Sequence, residues 1–251
     1  MCVIVLKFKG ADFPSKNVIK ACMKANPDGY AAAWNQDGRL QTFRTMDEAA
    51  MLAKYDEIRR LDPKTTGLVF HARIATHGSK TLANCHCWTN DDGTLAFAHN
   101  GVLSNIGNRD DMTDSETFFR DYFLPVMEGC GLPVATKVAN AVIGGSKFAF
   151  MFPSGEIVPM GYYMKDTEAG HKGTVYFSNM NWVRHSTPMY SFDKPAAKKK
   201  GYAPGVMPRE RKGGPLVVER DDYGRIVRSY VAETVRKSFD STVKEETPSL
   251  F

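Results

Sequence analysis

No apolar run in this 251-residue chain approaches the roughly 20 residues that a membrane-spanning helix needs. The N-terminus has neither the charged stretch nor the small-residue cleavage site of a secretory signal. A disulfide framework is lacking too: the five cysteines, Cys2, Cys22, Cys85, Cys87 and Cys130, are odd in number and irregularly spaced. A cytoplasmic, reducing location is therefore expected. No internal repeat is visible, and strands and helices do not alternate regularly, which sets aside a parallel α/β sheet. Nor is a metal site readable. Cys85 and Cys87 are separated by a single residue, His86, instead of the two to four of a zinc-ligand pair, and no second pair follows.

Composition points to an ordinary soluble globular protein, with 43% hydrophobic and 24% charged residues. The net charge of +5 is concentrated. Residues 194–214 hold Lys194, Lys198, Lys199, Lys200, Arg209, Arg211 and Lys212 against Glu210 alone, a surplus larger than that of the whole chain. Tyr202 is the only aromatic there, so no stacking platform for nucleic acid accompanies the charge. With its Pro and Gly residues this segment reads as a solvated linker over 191–214. It separates a main domain, 1–190, from a C-terminal hairpin and polar tail, 215–251.

Within the main domain Ser15 is placed to cap a helix through Lys24. Strands over 30–34 and 40–43 flank an Asp37-Gly38 turn. Thr45 with Glu48 has the capping-box spacing for a helix to about Arg60. Strands are expected over 67–73 and 94–99, and a helix opens at Thr113 or Asp114 and runs to about Glu128. A further helix covers 134–142, a hairpin turns at Pro153-Ser154-Gly155, and a strand covers 174–178. Hairpins and helices in blocks favour an α+β architecture of antiparallel sheets covered by helices.

Four sets of residues carry chemistry. Removal of Met1 would leave Cys2 with a thiol and a free α-amine on neighbouring atoms, so one residue could be both nucleophile and general base. His71-Ala72-Arg73-Ile74-Ala75-Thr76-His77-Gly78 ends a strand, and Arg73 offers a planar fork suited to a carboxylate. His99-Asn100-Gly101 follows another strand; the Asn100 amide and the Gly101 N–H could form an oxyanion hole. Asp114 is either a helix N-cap or a carboxylate presented to an ammonium group. Cys22 and Cys130 read as inert core residues, and Trp34, Trp88 and Trp182 as core or pocket wall.

Taken together, Cys2, Asn26-Pro27-Asp28-Gly29-Tyr30, the segment 71–78, Asn84-Cys85-His86, His99-Asn100-Gly101 and Asp114-Ser115-Glu116 resemble, in order and spacing, the class II glutamine amidotransferases. The resemblance covers roughly residues 2–180. It implies an N-terminal-nucleophile (Ntn) hydrolase fold, a four-layer αββα sandwich, and release of ammonia from glutamine through a γ-glutamyl thioester on Cys2. It implies further that Arg73, Thr76 and His77 bind the α-carboxylate end of glutamine, that Asp114 holds its α-ammonium, and that Asn100 and Gly101 stabilise the oxyanion. No cofactor is implied; glutamine and a separate synthase or acceptor subunit are the partners. Two departures stand out: Val3 replaces the usual Gly after the cysteine, and Cys87-Trp88 replaces Pro-Phe. The alternatives are an Ntn hydrolase of another γ-glutamyl or small amide, and a catalytically degenerate binding protein.

Overall fold

The structure, a computed structural model, describes residues 1–75, 78–107, 112–165 and 175–185, together with two short strands at 218–220 and 226–229. The chain divides into two units, Met1–Thr187 and Pro188–Phe251. In the second, β11 (Val218–Arg220) pairs antiparallel with β12 (Ile226–Ser229). The basic segment 194–214 and the tail 240–251 lie outside the described residues.

The described part of the first unit is built on two antiparallel sheets. One has the order β3-β2-β4-β1-β10-β9, from β1 (Val3–Lys7), β2 (Tyr30–Gln36), β3 (Arg39–Thr45), β4 (Leu68–Ala72), β9 (Met164–Lys165) and β10 (Val175–Phe177). The other has the order β5-β6-β7-β8, from β5 (Trp88–Thr89), β6 (Ala96–Asn100), β7 (Lys147–Met151) and β8 (Ile157–Met160). The turn between β2 and β3 has positive φ at both Asp37 and Gly38, the pairing that a tight two-residue hairpin requires.

Alternation along the strands assigns the layers. Phe70 of β4 meets the ring of Tyr55 in α2 (Glu48–Ile58), so that face of the first sheet carries α2, against which α1 (Lys16–Ala25) packs. Phe97 of β6 and Phe148 and Phe150 of β7 meet Phe118, Phe119 and Phe123 on the helical side of the second sheet. All six of these rings are fully buried, each stabilising the fold by roughly 1.5–3 kcal/mol relative to exposure. The remaining faces turn toward each other, and Asn100 of β6 reaches Ser178 beside β10. The order is helix, sheet, sheet, helix: the α+β, αββα arrangement of the Ntn fold.

The helix carrying Phe118–Phe123 is not uniform. It runs as α3 (Asp114–Thr117), a π-helical stretch over Phe118–Phe123 and α4 (Leu124–Cys130), with Leu124 N–H donating to the carbonyl of Phe119. α5 (Leu132–Val142) follows, with Pro133 in its first turn.

The caps differ in part from the sequence reading. Ser15 caps α1 as expected. The cap of α2 is Asp47, whose carboxylate accepts from the N–H groups of Ala49 and Ala50, while Thr45 accepts from Asp47 N–H. A carboxylate at this position also opposes the helix dipole, which a Thr cannot do. Cys22 is buried in α1, but Cys130, at the end of α4, is exposed and is no core residue. It lies in the last turn, where residues 128–130 are all exposed.

Candidate active site

Cys2 immediately precedes β1, and Val3 pairs with Ala72 of β4. One step further the register sets Cys2 opposite Arg73. Directly opposed residues of an antiparallel pair share a face. Because Phe70 faces α2, His71 and Arg73 point the other way, toward the second sheet, and Cys2 and Ile4 point with them. The Cys2 thiol lies 3.6 Å from the carbonyl of Ile74. Burial pushes this thiol above its ordinary pKa, with the positive charges of the N-terminus and Arg73 pulling the other way. At rest the sulfur is therefore protonated, and a nucleophile here needs a base.

Arg73 is buried, its Nη1 donating to the carbonyl of Ser79 at 2.9 Å. Its backbone continues the sheet: Arg73 N–H donates to Gly29 O, and Asp28 N–H donates to Arg73 O. The Asp28 carboxylate accepts from Ala75 N–H at 2.9 Å and pairs with Lys80 at 2.7 Å, bracketing the loop after Arg73 from both sides. Burial alone would raise the Asp28 carboxyl. The Lys80 and Ala75 hydrogen bonds and the charges of Lys80 and Arg73 outweigh it and hold the group below the usual carboxylate range. Thr76 and His77 lie outside the described residues.

From the second sheet comes Asn100, the last residue of β6. Its side chain is buried, with Nδ2 2.7 Å from Ser178 Oγ and Oδ1 buried without a hydrogen-bond partner among the described residues. Gly101 follows with φ +150, and a Cβ there would stand 2.1 Å from Ser146 Oγ and 2.8 Å from Ser146 Cα. Two physical demands thus select glycine at this position, an unusual backbone and close passage of another chain segment.

Asp114 is not a cap. The cap of α3 is Thr113, whose hydroxyl accepts from Glu116 N–H at 3.3 Å. Asp114 Oδ2 accepts from Leu103 N–H at 2.6 Å, and Oδ1 accepts from Ser115 N–H and Oγ–H. The carboxylate therefore fastens the loop that leaves Gly101. Among the described residues Oδ1 thus accepts twice and Oδ2 once, so one lone pair of Oδ2 is left to a further donor.

Behind the site His71, His86 and His99 stand in a row. His86 Nδ1 accepts from His99 N–H, and His99 Nδ1 is 2.6 Å from Ser115 Oγ. Among the described residues, both ring nitrogens of His71 and Nε2 of His99 are buried without partners.

Two residues of this region were not singled out in the sequence. Ser178 Oγ accepts from Ile4 N–H at 2.8 Å, and Asn179 Nδ2 donates to the Cys2 carbonyl at 2.6 Å. Both follow the strand β10 and look like an ordinary loop start; only the antiparallel pairing of β10 with β1 brings them to Cys2.

Residues 5–128 match the family model of the class-II glutamine amidotransferases. Two curated relatives share this region. A glutamine–fructose-6-phosphate aminotransferase (isomerizing) of Leifsonia xyli subsp. xyli is 31% identical over 124 residues, which are 47% of this chain and 20% of that one. A putative glutamine amidotransferase of Haemophilus influenzae is 28% identical over 125 residues, 46% of this chain and 41% of that one. The chain thus covers less than half the length of either. Among solved structures, the glutamine phosphoribosylpyrophosphate amidotransferase of B. subtilis, complexed with ADP and GMP, aligns with 73% of this chain and 43% of its own at 15% identity and a TM-score of 0.49. The matched stretch contains Arg73, Asn100, Gly101 and Asp114 and stops short of Cys2 on one side and Ser178 on the other. Residues 5–128 of this chain belong to the class-II glutamine amidotransferases.

Proposed function

We propose that this protein hydrolyses the side-chain amide of glutamine to glutamate and ammonia through a γ-glutamyl thioester on Cys2, and that the ammonia supplies a separate synthase or acceptor. The observation that carries the reading is the register of β1 on β4, which sets a thiol opposite a buried guanidinium on the face turned to the second sheet. Removal of Met1 makes the amine of Cys2 the base that its neutral thiol needs.

In this reading the sulfur attacks the amide carbon while its proton passes to the α-amine. The carbonyl oxygen becomes an oxyanion met by the Asn100 amide and the Gly101 N–H. The tetrahedral species collapses, the proton on the amine goes to the departing nitrogen, and ammonia leaves. Water, deprotonated by the same amine, then cleaves the thioester and restores the thiol. Arg73 holds the α-carboxylate, Asp114 takes the α-ammonium on the remaining lone pair of Oδ2, and Thr76 and His77 complete the substrate pocket.

The test is ammonia release from glutamine by the intact protein, with the mass of its N-terminus recorded. Turnover with Met1 absent, and covalent labelling of Cys2 by 6-diazo-5-oxo-norleucine, are the expected results. Quantitative retention of Met1 in active protein, or labelling confined to another cysteine, would overturn the mechanism. No turnover of glutamine alongside hydrolysis of another γ-glutamyl amide would change the substrate and keep the chemistry.

A further inference from the structure

We infer that Ser178 is a positioning residue that fixes the amide of Asn100 with its nitrogen toward the substrate, and so orients the oxyanion donor. The inference rests on the function proposed above, and extends it to a residue outside the stretch shared with the family.

The protons around one hydroxyl decide how the amide lies. Ser178 Oγ accepts from Ile4 N–H at 2.8 Å, two residues beyond the candidate nucleophile, and it also lies 2.7 Å from the Asn100 amide. If Asn100 Nδ2 donates to it, the hydroxyl accepts twice, and its own proton finds no acceptor among the described residues. Asn100 Oδ1 is then left buried with no donor among the described residues. Two polar groups are stranded, each at a cost of roughly 1–3 kcal/mol.

An asparagine amide turned through 180° fills the same volume with oxygen and nitrogen exchanged. In that orientation Ser178 Oγ–H donates to Asn100 Oδ1 while still accepting from Ile4 N–H. Every group around the hydroxyl is now satisfied. The atom left over is Nδ2, a donor pair with no partner among the described residues, at the place where Oδ1 was stranded. A buried donor without a partner is costly in the resting protein and useful where negative charge appears during reaction.

The same hydroxyl joins the two sheets. Ile4 belongs to β1 of the first sheet and Asn100 to β6 of the second. Ser178 therefore ties the strand that carries the nucleophile to the residue that receives the oxyanion, and sets the spacing between them.

The test is steady-state glutaminase kinetics on the full chain bearing Ser178→Ala, Ser178→Thr, Asn100→Ala and the Ser178→Ala/Asn100→Ala pair. Ser178→Ala should lower kcat at least about 10-fold with KM within about threefold. Ser178→Thr, which keeps a hydroxyl, should recover most of the loss. In the Asn100→Ala background the loss of Ser178 should cost less than about twofold more, because the amide that it orients has already gone. A Ser178→Ala enzyme equal to wild type, or a full additional penalty in the absence of Asn100, overturns the assignment. Should Ser178→Ala fail to fold, Ser178→Cys, nearly isosteric and a weaker hydrogen-bonding group, should show the same selective fall in kcat. A wild-type protein that leaves glutamine intact sinks the functional reading, and this inference with it, whereas an active wild type with an indifferent Ser178 sinks this inference alone.

Discussion

The imidazoles of His71 and His86 stack with centroids 3.9 Å apart and planes within 6° of parallel. They come from different segments, β4 and the loop before β5, and His99 of β6 adjoins them. Burial drives all three toward the neutral form: His71 down to about 3, His99 to about 4 and His86 well below its ordinary value. The unfolded chain takes up protons on these residues near pH 6.5 and the folded chain does not. Between about pH 6.5 and 4 the unfolded state thus binds more protons, and stability falls as pH falls. Each histidine adds up to about 1.4 kcal/mol per pH unit to that slope. Thermal unfolding measured from pH 7 to pH 5 should show Tm dropping steeply. His99→Asn, which keeps a polar group near Ser115, should flatten the drop; an unchanged slope would show that these rings do not control acid stability.

Asp28 and Lys80 allow a clean separation of surface and buried charge. The Lys80 side chain is 64% exposed, and exposed ion pairs contribute only about 0–1 kcal/mol. Lys80→Ala should leave Tm and turnover nearly unchanged. Asp28→Ala strands Ala75 N–H and frees the loop after Arg73, so it should cost about 1–3 kcal/mol and raise KM for glutamine. Equal effects of the two substitutions in denaturant titration and kinetics would contradict this ordering.

At Gly101 any side chain meets the backbone of Ser146, with Cα only 2.8 Å from the added Cβ. Gly101→Ala should abolish activity and destabilise the protein by more than about 2 kcal/mol. Trimming the neighbour to Ser146→Ala should not rescue it, because the clash is with Cα and Cβ as well as Oγ. Recovery of activity in the double variant would point to the hydroxyl alone.

Arg73→Ala should reduce kcat/KM for glutamine on the order of 10–100-fold, the loss of a charge-assisted clamp. It should change little for 4-aminobutanamide, which has no α-carboxylate. A parallel loss on both amides would mean that Arg73 acts by holding Ser79 and its loop.

The two helical cysteines and Cys2 should separate by exposure. Cys22 is fully buried, so Cys22→Ala should cost about 1 kcal/mol of stability and leave turnover intact. Cys130 should react first with a bulky thiol reagent, again without loss of activity. Cys2→Ala should abolish ammonia release at unchanged Tm.

Much of the fold was legible because local rules decide it. Asp37-Gly38 turns its hairpin, Ser15 caps its helix, and short apolar runs mark β4, β6 and β7. The choice of Asp47 over Thr45 as a cap turned on which oxygen reaches two N–H groups, a matter of geometry below the resolution of a spacing rule. Spacing leaves Asp114 open as a cap or a ligand, and its bond to Leu103 N–H depends on a loop path that no pattern encodes. The two-residue strands β5 and β9 are too short to show alternation. Ser178 and Asn179 were missed for a deeper reason: their partners, Ile4 and Cys2, are about 175 residues away in sequence. Long-range pairing of β10 with β1 creates that part of the site, and nothing local announces it.

The interior position of β1, between β4 and β10, has a temporal corollary. During synthesis at 5–20 residues per second, roughly 10–35 s separate emergence of the first strand from emergence of its second neighbour. Throughout that interval one flank of β1 is bare and the bonds from Ser178 and Asn179 do not yet exist. A peptidase that trims the residue ahead of Cys2 meets an unfinished sheet on the nascent chain, while one arriving later must work against a closed one.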